Sequence, residues 1–311
     1  MPSSLFLRQQ LEYVQQEVVK QDFPEMLMSS GAAIPISSEV PQGAETYSYQ
    51  LLTFVGEAAI LANGGGDIPM INAFSEKRVG FVRTVTDGYE YTIEDMEAAE
   101  FAGMNLDTQM AVGAREVIER KVDVLGYSGD EDYNLLGFLN FPNVPTYTIL
   151  NDGNENGGTD STEWQHKTPE QIYRDLREFV SATRTATNGA EQPEVVALPQ
   201  NQFDLVMQTP YPTNSASGET IGSFFLKTQR MSPSGVQAII PMPYLAGQGS
   251  GSSDLMVSYR KRQDKAKFHI PLDFEQRPPQ ERDLCYRVIC RMRTGGLQVN
   301  KPLSMRYAEG I

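Results

Sequence analysis

The strongest periodic pattern of apolar residues lies between Thr92 and Leu125. Thr92 and Asp95 have the spacing of a capping box, so a short helix is predicted to begin there and to stop at Gly103. A longer helix is predicted to begin near Asn105. Its apolar stripe consists of Leu106, Met110, Ala114, Val117, Ile118, Val122 and Leu125. A helix with such a stripe needs a second surface on which to bury it.

Two further segments have helical periodicity. Residues 5–21 carry an apolar face, and Pro24 ends the pattern. Thr168 and Pro169 are typical of a helix start. The apolar side of this third helix consists of Ile172, Leu176, Phe179 and Val180. A short helix is also predicted at residues 203–209.

Alternating apolar and polar residues predict strands in much of the remaining chain. Residues 46–91 are predicted to form a long two-stranded excursion, with a flexible tip of three glycines at 64–66 and a second turn at Asp87 and Gly88. An isolated two-stranded hairpin is marginally stable in water, so we expect this excursion to lie on another surface. Further strands are predicted at residues 195–198, 236–245, 254–259, 267–272, 284–292 and 302–307.

Two stretches have neither the helical nor the strand periodicity of apolar residues. Residues 24–45 contain three prolines and many small residues, which predicts an extended arm and makes a compact fold there improbable. Residues 126–145 follow the long helix, and Gly126 and Gly129 are predicted to end it and turn the chain. The apolar run at 135–139 is then expected to anchor a new domain.

Composition and charge narrow the possible functions. Hydrophobic residues make up 40% of the 311 residues and the formal net charge is -14, which indicates a globular protein that is not built mainly to grip phosphates. No apolar run approaches the roughly 20 residues of a membrane span, and no signal-peptide pattern is present, so a cytoplasmic origin is expected. Cys285 and Cys290 are predicted to lie on opposite faces of a strand, which disfavours a disulfide.

Few residues are suited to catalysis, so we predict no catalytic or cofactor-binding residues. His166 and His269 are far apart in the sequence, and a lone histidine is usually structural. The sequence has no nucleophile elbow, no HExxH pair and no Walker A lysine. The glycine-rich loop at 246–253 lacks a lysine and precedes a strand, which is typical of an exposed turn rather than a phosphate cradle.

One segment matches a metal-binding pattern. Asp152, Asn154, Asn156 and Glu163 have the spacing of a calcium-binding loop. However, the preceding segment is strand-like rather than helical, and Thr159 stands where an apolar residue is usual. We therefore favour a plain polar loop, with calcium binding as the alternative.

Basic residues cluster in the last third of the chain. They are Arg260, Lys261, Arg262, Lys265, Lys267, Arg287, Arg291 and Arg293. The simpler interpretation is a solvated or salt-bridged face of a sheet. The alternative is a contact with nucleic acid or with an acidic neighbour.

The order of these segments resembles that of the major capsid proteins of tailed double-stranded DNA phages, which have the Hong Kong 97 type fold shared with encapsulin shells. The matching stretches are PISSEVPQGAETYSYQ, GEAAILANGGGDIP, YEYTIEDMEAAEFAGMNLD, GYSGDEDYNLLGFLNFPNV, ALPQNQFDLVM, IIPMPYLAGQG, SDLMVSYRK and GGLQVNKPLSMRYAEGI. No single stretch is a sharp signature, but together they span nearly the whole chain.

The resemblance implies an α+β capsid fold with four parts. Residues 1–45 would be an N-terminal arm and residues 46–91 an extended loop. Residues 92–136 and 266–311 would form a peripheral domain that contains a spine helix. Residues 137–265 would form an axial domain, reached through the glycine-rich stretch after the spine helix.

The resemblance also implies a function. The chain would self-assemble as pentamers and hexamers into an icosahedral shell around phage DNA, which it would bind non-specifically. Portal and scaffold or decoration proteins would be further partners. The protein would be part of the virion, assembled in the host cytoplasm, without enzymatic activity, cofactor or membrane contact. One alternative is an encapsulin-like compartment with protein cargo, and another is a soluble hydrolase or binding enzyme.

Overall fold

A computed structural model describes residues 24–58, 70–101, 106–212, 218–232 and 235–311. The helices are α1 Ile93–Phe101, α2 Leu106–Ser128, α3 Pro169–Ala186, α4 Gln200–Gln208 and α5 Ile221–Arg230. The strands are β1 Ile36–Ser37, β2 Thr46–Val55, β3 Asn72–Phe81, β4 Arg83–Thr92, β5 Thr146–Thr148, β6 Val195–Leu198, β7 Ala238–Pro241, β8 Leu255–Tyr259, β9 Ala266–His269, β10 Leu272–Gln276, β11 Gln280–Arg282, β12 Cys285–Thr294, β13 Gly296–Val299 and β14 Met305–Glu309.

A five-stranded sheet of order β5-β14-β8-β6-β7 separates two hydrophobic cores. Side chains alternate across it, since Val195 and Ala197 enter the first core whereas Val196 and Leu198 enter the second. This explains why β6 is apolar at every position. The sheet therefore joins the two halves of the chain through one continuous apolar layer.

The long helix α2 packs in the first core against strands from the far end of the sequence. Ala114, Ile118 and Val122 are buried together with Val288 and other side chains of β12. The predicted sharing of a core between these distant segments is confirmed.

The predicted stripe of α2 is wrong in part. Met110 is 37% exposed and Val117 is 50% exposed. The buried face follows positions 114, 118, 122 and 125, so Met110 and Val117 lie on its flank.

The strand predicted at 284–292 begins one residue later than expected, because Leu284 is exposed and β12 starts at Cys285.

The predicted turn at Asp87 and Gly88 is wrong. Strand β4 continues through both residues and pairs with β12 from Arg83 to Thr92. Glycine is required at 88 because a Cβ atom there would lie 2.9 Å from the Val288 carbonyl oxygen. Val82 alone separates β3 from β4, and the two strands pair with different partners.

The capping pair of the short helix is confirmed. The backbone NH of Asp95 donates to the Thr92 hydroxyl at 3.0 Å, and the NH of Thr92 donates to the Asp95 carboxylate at 3.1 Å. The predicted helix at 5–21, the glycine tip at 64–66 and the helix stop at Gly103 lie outside the described residues.

The segment 24–45 contains turns and the short strand β1 and has no core of its own, but it packs into the first core, which was not predicted. Met28, Ala33 and Ile34 are buried, and β1 pairs in parallel with β9. The buried Asp123 carboxylate of α2 accepts hydrogen bonds from the backbone NH groups of Met28, at 2.7 Å, and of Ser29, at 3.0 Å. Small side chains let the backbone approach the sheet closely, which composition alone does not reveal.

The glycine-rich stretch after α2 folds back on the last turn of the helix. Gly129 ends the helix with a positive φ of 65°, and Gly137 lies against it so closely that a Cβ atom would be 2.2 Å from the Gly129 nitrogen. The NH groups of Phe138 and Leu139 then donate to carbonyl groups of that turn at 2.9 Å. Phe138 is buried in the first core whereas Leu136 is exposed, and the anchoring of a new domain by this run stays a prediction.

Helices α3, α4 and α5 cover the second core. The predicted start of α3 is confirmed by a capping box between Thr168 and Gln171, and its four predicted apolar residues are buried. Helix α5 was not predicted from the sequence, although Thr220 and Ser223 form a capping box at its start. Its Phe225 side chain completes the core between α3 and β7.

Candidate assembly surfaces

The β2–β3 hairpin exposes large apolar side chains. Among the described residues, these two strands form a sheet of their own. Phe54 is 64% exposed and Phe74 is 62% exposed, and Leu52, Val55 and Val79 are also exposed. Apolar side chains at this density are typical of a surface that is covered in an assembly.

The base of the hairpin is fixed to the body of the protein. The Tyr47 hydroxyl donates to the Gly295 carbonyl at 3.2 Å, and its ring lies 4.5 Å from the ring of His269, between centroids. Burial raises the pKa of the Tyr47 hydroxyl, so this group stays a donor at neutral pH. The end of the hairpin nearest the body of the protein is therefore held in place by Tyr47.

The outer face of α2 is a second uncovered apolar surface. Met110 and Val117 are exposed and lie two turns apart on the same side of α2. Gly113 lies between them, and a Cβ atom added there would meet no other atom within 4 Å. Helix α1 is similar, since Met96 and Phe101 are exposed. Both helices thus present apolar side chains away from the core.

The basic residues of the last third are mostly held in ion pairs. Lys265 and Glu191 form a buried pair at 2.6 Å, and Arg260 pairs with Glu194 at 2.9 Å. The other pairs are Arg262–Glu194, Lys267–Glu39, Arg287–Glu90 and Arg291–Glu275, while Lys261 and Arg293 donate to backbone carbonyl groups of residues 32, 42 and 44. The salt-bridged interpretation is confirmed, and several pairs tie the segment 24–45 and β4 to the body.

The two histidines have structural surroundings. His269 is buried and its Nε2 atom lies 2.7 Å from the Gln298 amide oxygen, and burial lowers the pKa of its imidazole. The Nδ1 atom of His166 lies 3.0 Å from the Glu155 carbonyl oxygen. Within the described ranges, no group of three or more His, Cys, Asp or Glu side chains is placed to hold a metal ion.

The four predicted calcium ligands are engaged with protein groups. Asp152 pairs with Arg174 at 2.7 Å and with Lys167 at 3.2 Å. Burial acts to raise the pKa of the Asp152 carboxyl, but these two cations hold it below its usual value. The remaining contacts are Asn154 with the NH of residue 160, Asn156 with the carbonyl of residue 165, and Glu163 with the side chain of residue 165. The plain polar loop stays the prediction, with calcium binding as the alternative.

Other features concern the cysteines and membranes. Cys285 and Cys290 are free thiols, as their spacing predicted. None of the helices in the described part of the chain has the length and apolar character needed to cross a membrane.

The fold as a whole is similar to solved capsid structures. It matches the capsid of Myoviridae phage XM1 with a TM-score of 0.76 at 17% identity, over 97% of this chain and 98% of that one. It matches Mycobacterium phage Ogopogo with a TM-score of 0.58 at 13% identity, over 99% of both chains. A virus-like particle from Pyrococcus furiosus matches with a TM-score of 0.57 at 9% identity, over 89% and 91%. A comparison with curated protein sequences gives no match.

The α+β body with its long helix and anchored hairpin has the Hong Kong 97 type fold of these capsid structures. A sequence model described as "Major capsid protein" matches residues 56–311. The chain belongs to the major capsid protein family.

Proposed function

We propose that the chain is the repeating subunit of an icosahedral phage shell, built from pentamers and hexamers around double-stranded DNA. The observation that carries this proposal is the β2–β3 hairpin, which is anchored at Tyr47 and exposes Phe54 and Phe74. A two-stranded element with such side chains gains stability when a neighbouring surface covers it. Many copies joined through unlike surfaces form closed rings and shells.

We also propose that the chain divides into the four parts that the resemblance implies, and the strand pairing supports this division. Strand β4 pairs with β12 along its length, so the last part of the extended loop, 46–91, is fixed to the peripheral segment 266–311. The part that remains free to reach a neighbour is β2–β3. In the described part of the proposed arm, Met28 and Ser29 are bound to the proposed spine helix α2 by hydrogen bonds to Asp123. Residues 137–265, with the second core, would form the axial domain at the centre of a capsomer.

The wider biological setting is proposed from family membership. The shell would be part of the virion, assembled in the host cytoplasm with portal and scaffold or decoration proteins. The subunit would have a structural role without catalysis. Contact with packaged DNA would be non-specific, and the basic side chains that already pair with Glu191, Glu194 and Glu275 would contribute little to it.

Light scattering during size-exclusion chromatography, followed by electron microscopy, tests the proposal. We expect discrete capsomers or closed particles at micromolar concentration. A monomer that persists across salt and protein concentrations would contradict self-assembly. The material packaged inside the particles distinguishes the two shell functions. Packaged DNA supports a phage capsid. Packaged protein supports the encapsulin-like alternative, which the similarity to the Pyrococcus particle suggests.

A further inference from the structure

Arg306 is a buried cation that has no carboxylate partner among the described residues. It lies on β14 and is only 8% exposed. Direct partners across a strand pair share one face of a sheet, so Arg306 and Ser258 lie on the same face as Val196. This face belongs to the second core, which α3 covers. The guanidinium is therefore enclosed between the five-stranded sheet and a helix.

The guanidinium of Arg306 contacts neutral groups. Its Nε atom donates to the Thr183 hydroxyl at 3.2 Å, and its Nη1 atom donates to the Thr146 carbonyl oxygen at 3.5 Å. A guanidinium has more N–H donors than these two acceptors satisfy. Thr183 lies in the last turn of α3, but the partial charge at a helix end is only about half an elementary charge. Burial lowers the pKa of Arg306, and no nearby anion acts in the opposite direction.

The Ser258 hydroxyl is a second polar group at this place that lacks a partner. Ser258 is fully buried, and its Oγ atom has no hydrogen-bond partner in the part of the chain that the structure describes. It is the direct partner of Arg306 across the β8–β14 pair, so the two Cβ atoms are about 5 Å apart. Buried hydroxyl groups are normally hydrogen-bonded. A cation that needs a counter-charge and a hydroxyl that needs an acceptor thus lie side by side.

We propose that Arg306 and Ser258 form a binding site for a single chloride ion, with Thr183 orienting the guanidinium. The ion accepts hydrogen bonds from the guanidinium and from the Ser258 hydroxyl, and it neutralises the buried charge. Ser258 and Thr183 are both fully buried, so the site takes a small inorganic monoanion and excludes larger anions. The stability of the second core then depends on chloride, whether or not the subunits assemble.

Urea unfolding of dissociated full-length subunits, at several chloride concentrations, tests the proposal. Trp164 is the only tryptophan of the chain and is buried in the second core, so its fluorescence reports the unfolding of this half. Sodium gluconate replaces sodium chloride at constant ionic strength, which keeps the screening of surface charges unchanged. Arg306→Met removes the buried charge. Arg287→Met is the matched control, because Arg287 is exposed and pairs with Glu90.

The expected result is a chloride dependence that requires Arg306. An ion that binds only the folded chain raises the folding equilibrium constant about tenfold for each tenfold increase in chloride above its dissociation constant. We expect this for the wild type and for Arg287→Met, and no such dependence for Arg306→Met. The Arg306→Met variant should fold, because an apolar residue of similar volume often replaces a buried charge without loss of stability. No dependence in the wild type, or the same dependence in all three proteins, would overturn the proposal.

Two further measurements keep the proposal testable if Arg306→Met does not fold. Ser258→Ala retains the guanidinium but removes one donor to the ion, so its chloride dependence should begin at a higher concentration. Crystals grown in sodium bromide give the direct check, because bromide is located by its anomalous scattering. A bromide ion beside Arg306 and Ser258 supports the site, whereas a water molecule at that position in the same crystals contradicts it.

Discussion

The ring of Tyr47 occupies the space that a side chain at Gly80 would need. The two residues are direct partners across the hairpin, and a Cβ atom at Gly80 would lie 2.2 Å from the Tyr47 Cζ atom. The ring is thereby placed over β3, next to His269, with its hydroxyl directed at the Gly295 carbonyl. The direction in which the hairpin leaves the body thus depends on the absence of one methyl group.

Gly80→Ala should therefore displace the Tyr47 ring and break its hydrogen bond to Gly295. We expect a loss in the free energy of unfolding of about 1–3 kcal/mol, as for other overpacked sites. Denaturant unfolding followed by circular dichroism measures it. Gly43→Ala is the matched control, because its Cβ position has no atom within 4 Å, and it should leave stability nearly unchanged.

Two substitutions to aspartate on α2 distinguish an effect on folding from an effect on assembly. Ala114 is buried against β12, so Ala114→Asp should unfold the subunit at a cost of several kcal/mol, on the order of 3–5. Val117 is half exposed, so Val117→Asp should change stability by only about 0.5 kcal/mol but prevent particle formation. Thermal melting and particle yield are the two measurements. Equal melting temperatures would show that the faces of the helix are assigned wrongly.

The error at Val117 shows what the sequence can and cannot reveal about this fold. Helical periodicity located α2, but it cannot distinguish an apolar residue that faces the chain's own core from one that faces another copy. The same holds for Leu284, which the strand pattern included although it is exposed. Local apolar runs predicted β6, whereas β4 was divided at Gly88 because a glycine required by close strand packing has the sequence appearance of a turn.

The assembly surfaces were predicted only in outline. The lack of a core around β2–β3 was visible in the sequence, but the anchor at its base was not. The pairing of β9 with β13 brings His269 and Gly295 together, and Tyr47, which is distant in the sequence, then contacts both. Likewise, no sequence pattern singled out Asp123, which is buried and accepts hydrogen bonds from the backbone of Met28 and Ser29.

The Asp123 carboxyl should give a pH dependence of known sign. Burial raises its pKa in the folded state, and the hydrogen bonds from Met28 and Ser29 offset this only in part. The folded state thus binds its proton more tightly, so this contribution to stability is present at low pH and is lost as the pH rises through the folded pKa. The difference in melting temperature between the wild type and Asp123→Asn should therefore shift in favour of the variant from about pH 3 to pH 7.

Asp123→Ala is the control for the hydrogen bonds themselves. It removes the single carboxylate oxygen that accepts both hydrogen bonds, whereas asparagine retains a side-chain oxygen, so the alanine variant should be less stable by about 1–3 kcal/mol at every pH. If the asparagine and alanine variants behave alike, the bonds to Met28 and Ser29 are not what holds the arm.

The calcium-like loop should fold without the metal. Asp152 already has two cationic partners, Lys167 and Arg174, and a calcium ion would have to displace both. Titration calorimetry should show no tight calcium binding, and Asp152→Ala should cost no more than about 1 kcal/mol because Lys167 and Arg174 keep Asp175 as a partner. Tight binding that this substitution abolishes would establish a calcium site.

Hydrogen exchange provides the last test, because it compares two strand pairs that differ in their surroundings. In dissociated subunits, the amides of β2 and β3 are protected only by each other, since among the described residues no third strand joins them. Strand β4 pairs with β12 and places Tyr89 and Tyr91 in the core beside α2, so its amides bonded to β12 are expected to open only with the core. We expect β2 and β3 to exchange much faster than β4 in subunits, and to become slow in particles. Slow exchange of β2 and β3 in the isolated subunit would mean that the hairpin is stable alone and needs no neighbour.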